Sequence, residues 1–187
     1  MVCRALAVLC VLLLAACGGT TPSTVSTPTG MPLAATMANV SDEAPLKPLP
    51  KTEDTLVVRT DFTDNAAWQA LCTTIQAPVG KLQFRAYVDC LSDPEYDGST
   101  PEQLRAAAGS PTTSNHTFIF IVDRTALTHR EHPILVLDLY EEPGRTFRVI
   151  PAEMASVENN LSIANMDFSD FTDSLDQDGV FRGFPES

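Results

Sequence analysis

Three groups of side chains in the 187-residue sequence are of types and spacings that could do chemistry. The first is Leu14-Ala15-Ala16-Cys17, which follows an apolar run from Ala5 to Leu14 and a single basic residue, Arg4. A short basic start, an apolar stretch of about ten residues and small residues before a cut site form a secretory signal. The run is too short for a comfortable membrane span. A thiol at the first position after the cut can form a thioether with a lipid. The second group is Cys72 and Cys90, the only cysteines after Cys17. Outside the cytoplasm they can pair as a disulfide, and as free thiols they serve as small apolar side chains. The third is a scatter of carboxylates, Asp123, Asp138, Glu141 and Glu142, at the ends of expected strands. There a pair could act as acid and base, or could equally pair with Arg124, Arg145 or Arg148.

Other constellations fall short of a chemistry. His129-Arg130-Glu131-His132 places its histidines three apart with proline directly after. A zinc-binding helix needs them four apart on a continuing helix. Asp173-Ser174-Leu175-Asp176-Gln177-Asp178-Gly179 lacks the regular acid spacing and closing glutamate of a calcium loop. There is no nucleophile elbow, phosphate loop or dinucleotide glycine motif. Neither a metal nor a cofactor is therefore expected, and an enzyme is less expected than a binding protein. Asn159, Asn160, Asn165 and Asp167 form a polar cluster suited to capping helices and satisfying turns. They are also the candidate contacts for a ligand or partner.

The formal net charge is −12; without residues 1–16, which hold Arg4 and no acid, 11 basic face 24 acidic side chains, or −13. Such a surface repels phosphate backbones and excludes nucleic acid as a partner. It suits a protein partner with a basic face. A hydrophobic content of 44% supports one ordinary core.

The elements that must position these groups begin after residue 53. Residues 17–53 are rich in Thr, Ser and Pro, with prolines at 22, 28, 32, 45, 48 and 50. They read as a disordered tether between the signal and the domain. From 54 to 187 a single globular domain is expected. Thr55–Thr60 is a strand. Asp64–Gln76 is a helix with Trp68, Leu71, Cys72 and Ile75 on one stripe. Phe84–Leu91 alternates as a half-buried strand with Phe84, Ala86, Val88 and Cys90 inward. Thr100-Pro101-Glu102-Gln103 opens a peripheral helix. Thr117–Val122 is an apolar run fit for a strand covered on both faces. Arg124–Pro133 is read as a connection. Ile134–Leu139 and Thr146–Ile150 form an antiparallel hairpin across Pro143-Gly144. Helices over Ala152–Asn159 and Ser169–Leu175 follow, and Val180–Phe184 closes the chain. The fold class is α/β (α+β): a mixed sheet of about five strands with three to four helices packed on it.

RTDFTDNAAWQALC (59–72), VDRTALTHREHPILVLDLYEEPGRTFRVIP (122–151), VENNLSIANMDFSDF (157–171) and DGVFRGF (178–184) resemble an uncharacterised actinobacterial domain family. The resemblance spans residues 54–184 and brings no activity or catalytic residues with it. Its members look like free-standing cytoplasmic domains, so a signal and tether are a departure. Leu14–Cys17 resembles the bacterial lipobox, which implies a diacylglyceryl group on Cys17 and a cell-membrane location on the outer side. Residues 159–168 are also similar to small immunity proteins that neutralise bacterial toxins, which implies an inhibitor role. The expectation from sequence is thus a lipid-anchored, acidic, non-catalytic binding domain. An immunity-like inhibitor of a basic toxin, and a hydrolase using the strand-end carboxylates, are the alternatives.

Overall fold

The computed structural model describes residues 45–110 and 112–185. Leu14–Cys17, with the expected acylation site at Cys17, lies outside them. The organising element is β3, Phe118–Val122 (Phe-Ile-Phe-Ile-Val), buried along its whole length. An unbroken apolar run of five has no solvent face, so it must be covered on both sides. Around it the sheet is ordered β2-β1-β3-β4-β5-β6. β1 (Thr55–Arg59) runs parallel to both β2 (Val88–Leu91) and β3. β4 (Ile134–Asp138) is antiparallel to β3 and to β5 (Thr146–Val149), while β6 (Val180–Phe181) lies parallel to β5. This is a mixed α/β fold in a single domain, with six strands and five helices among the described residues where the sequence suggested about five and three to four.

Alternation along each strand sorts the core into two layers. Val57, Phe120, Val136, Phe147 and Phe181 point to the first face. It is covered by α1 (Asn65–Gln76), α3 (Arg124–Thr128), α4 (Met154–Ser162) and α5 (Phe168–Thr172). Phe147 stacks on Phe171, and Phe168 and Phe181 meet the pair edge-on, with ring centroids 4.9 to 5.9 Å apart. Leu56, Val58, Ile119, Ile121 and Leu137 point to the second face. Over it lie α2 (Pro101–Ala108), Tyr96 and Leu49. Local chemistry fixes the helix starts. Asp64 accepts the Ala67 amide at 2.9 Å, Asp123 accepts that of Ala126 at 2.9 Å, and Thr100 with Gln103 forms a capping box.

Four expectations are corrected. The strand expected over Phe84–Leu91 is only Val88–Leu91, and Phe84 is 59% exposed and bridged to Val79 alone. Its β1 partner starts at Thr55, so upstream backbone has no strand to pair with. Glu158 accepts the Tyr87 amide instead, and Asn159 donates to the Arg85 carbonyl. The Arg124–Pro133 connection contains α3, whose five residues are too few to show a period. The α2 helix is not peripheral, since Leu104 is fully buried in the second layer. Finally, residues 45–52 do not behave as tether. Leu49 is 8% exposed, and its amide donates to the Ala107 carbonyl at 3.0 Å. Leu49, with Leu46 partly buried beside it, supplies the apolar area that docks the arm.

Candidate functional site

The four strand-end carboxylates are committed to the scaffold. Asp138, buried at the end of β4, accepts the backbone amides of Tyr140 (2.8 Å), Glu141 (3.2 Å) and Glu142 (2.6 Å). Together with the Gly144 amide bonded to the Asp138 carbonyl, it ties the β4–β5 turn. Gly144 sits at φ 104° there, a conformation that a side chain would strain. Asp123 caps α3 and pairs with Arg148, whose Nη1 also reaches the Pro133 carbonyl at 2.8 Å. Glu141 accepts the first amide of α5, from Phe168, at 3.0 Å, and Glu142 pairs with Arg145. Asp138 and Glu141 line one small cavity of about 140 Å³ with Phe118, Tyr140 and Phe168, while Asp123 and Glu142 do not. Each holds one joint of the fold.

The polar cluster near α4 follows the same pattern. Asn159 Nδ2 donates to Ala155 O (2.7 Å) and Arg85 O (3.0 Å), Asn160 Nδ2 to Ser156 O (2.8 Å), and Asn165 Nδ2 to Asn160 Oδ1 (2.7 Å). The Asp167 amide donates to Asp170 at the start of α5. Asn159 and Asn160 nonetheless line a groove of about 520 Å³ between α4 and the Val79–Phe84 turn. Asn165 and Asp167 do not. Glu158, one residue before Asn159, is buried and accepts from Thr55 (3.2 Å), Ser162 (2.6 Å) and the Tyr87 amide (3.1 Å). No cation faces it among these partners; neutral donors satisfy it, as buried polar groups require.

The histidine pair is occupied locally. His129 Nδ1 accepts the Glu131 amide, and His132 Nδ1 lies 2.8 Å from the Ala126 carbonyl. Among the described residues no group of three or more His, Cys, Asp or Glu could hold a metal ion. Cys72 on α1 and Cys90 on β2 form a disulfide, with Cα atoms 6.4 Å apart. Asp176 and Asp178 belong to a clamp around Arg182, which bonds Asp176 and Asp178 at 2.8 Å and Glu131 at 3.0 Å. The Arg182 hydrogen bond holds the Asp178 carboxyl down to about 2.

Two features escaped the sequence reading. One is Arg59 at the carboxyl end of β1, 2% exposed although charged. Its Nε donates to Asp61 O (2.8 Å) and its Nη1 to Asn65 Oδ1 (3.0 Å), while Phe62 covers the guanidinium at 4.2 Å. Nη2 has no acceptor. Burial disfavours the charged Asp61 carboxyl, but the Thr63 hydroxyl and amide and nearby Arg124 and Arg59 hold it below its usual range. A charged residue closing a β-branched run, in Leu-Val-Val-Arg, was the available signal. The other is the seat of residues 45–52 on the second face, against α2, Tyr96 and His116. No curated protein matches the chain. Residues 54–184 match the family described as a domain of unknown function, DUF6924, and the chain belongs to that family.

Proposed function

We propose that the protein is a lipoprotein, anchored through acylated Cys17, that presents an acidic, non-catalytic binding domain outside the cytoplasmic membrane. The observation that carries the non-catalytic part is the commitment of Asp123, Asp138, Glu141 and Glu142 to backbone amides and arginines. Hydrogen bonds of that kind account for each carboxylate as part of the scaffold, which supports a structural role over a catalytic one. The anchor rests on the Leu14–Cys17 motif and the signal before it, and more than one acyl chain makes such attachment durable. An excess of acidic side chains suits a partner with a basic surface, including a toxin in an inhibitor role.

Metabolic labelling with an alkyne palmitate analogue tests the anchor. Label on the wild-type chain that disappears in Cys17→Ser is the expected result, and label that persists refutes it. For the domain, Asp123→Ala and Asp138→Ala should lower the melting temperature. A hydrolytic activity in the wild type that these changes abolish at unchanged stability would replace binding with catalysis.

A further inference from the structure

Residues 45–51 read Pro-Leu-Lys-Pro-Leu-Pro-Lys and cross the second face without joining the sheet. Proline at three of these positions fixes φ and removes the amide, which pre-sets an extended backbone. The domain meets that backbone mainly through its carbonyls. The Tyr96 hydroxyl donates toward Lys47 O (3.3 Å) and Pro48 O (3.2 Å), His116 Nε2 lies 2.9 Å from Pro50 O, and Asn115 Nδ2 is 2.6 Å from Thr52 O. The Leu49 amide donates to the last turn of α2. Only two kinds of side chain are read. Leu46 and Leu49 enter the apolar layer, and the Lys47 ammonium lies 3.1 Å from Asp93 and 3.6 Å from Glu95.

Aromatic and histidine donors aimed at successive carbonyls of a proline-rich strand, with an apolar slot and an acidic pair beside it, are the components of a peptide-recognition groove. The arm contributes no strand to the sheet, and it lies outside residues 54–184, which match the family. Its Lys47 pair is more than half exposed on the lysine side, so it steers and selects rather than fastens. We propose that this groove recognises an extended, proline-rich, lysine-bearing segment of a partner protein, and that residues 45–52 hold it shut in cis. The Asp93–Glu95 pair sets the preference for a basic residue two positions before the buried leucine. This reading does not depend on acylation of Cys17.

The test uses the full chain in detergent and a fluorescein-labelled peptide with the sequence of residues 45–52. Pro48→Gly with Leu49→Ser frees the arm, and that variant should bind the peptide at least about tenfold tighter than wild type. Tyr96→Phe with His116→Ala in the same background should reverse the gain. Equal binding by wild type and a freed, folded variant overturns the proposal. Hydrogen exchange on the unaltered chain covers a variant that fails to fold. The Leu49 amide should exchange faster than those of Val57 and Phe120, and exchange of all three at one common rate overturns the proposal. A concentration-dependent wild-type dimer with exchanged arms also overturns it, in favour of a second copy as the occupant.

Discussion

The two faces of the sheet are built by different means. On the first, four helices from distant parts of the chain pack into one apolar layer that contains the ring cluster of Phe147, Phe168, Phe171 and Phe181. On the second, one eight-residue helix rich in alanine covers the sheet, and a proline-rich arm completes the cover. The first face is closed by residues that also define the fold. The second is closed partly by a segment that could leave without removing a strand. The difference teaches where the molecule can spare structure. A binding surface that opens is more easily placed on the second face than among the phenylalanines.

The largest expected effect tests the first face. Phe171→Ala removes a fully buried ring that touches those of Phe147, Phe181 and Phe184, and should cost about 3–5 kcal/mol in denaturant unfolding. Next is the covalent tie at the margin of that face. Replacing Cys72 and Cys90 by alanine opens a link spanning 18 residues and should cost about 3 kcal/mol. Two free thiols by mass spectrometry of the unreduced protein would remove this term altogether. Leu49→Ala tests the second face. Buried leucine truncations usually cost about 2–5 kcal/mol, but here the loss is capped by the docking energy of the arm. A value under about 2 kcal/mol is expected, and a cost equal to that of Phe171→Ala would erase the contrast between the faces.

The smallest effect is one of pH, at the β6 margin. Asp178 has its carboxyl lowered from 3.8 to about 2 by the Arg182 hydrogen bond. A lowered folded-state value means that its contribution is fully present above about 3.8 and is lost as pH falls toward 2. An acid titration of the melting temperature should show a step in that window that disappears in Asp178→Asn. The clamp is exposed, so the step should shrink in high salt.

Much of the fold was legible because its signals are local and strong. The five apolar residues of β3, the Asp64 cap before the Trp68–Leu71–Ile75 stripe and the Pro143-Gly144 turn each name their element. What could not be read depends on partners remote in sequence. The alternation from Phe84 onward fits a strand, but only β1 could pair with it, and β1 starts too late. Asn159 and Asn160 could be recognised as polar and clustered, but not that their amides serve carbonyls within α4 and at Arg85. Residues 45–52 have the composition of a tether. Their docking depends on Tyr96, Asn115 and His116, which lie 44 or more positions away in the sequence.

The Cys72–Cys90 link bears on how the chain meets proteases. Between the two cysteines lie Lys81 and Arg85, flanking Leu82 at 78% and Phe84 at 59% exposure, the kind of surface turn at which cleavage starts. A trypsin cut at either site falls inside the covalent ring, so the two pieces stay attached. The nicked molecule should run as one band without reductant and as two with it. Damage at this exposed turn then leaves α1 and β2 joined, and the severed chain still carries its whole sheet.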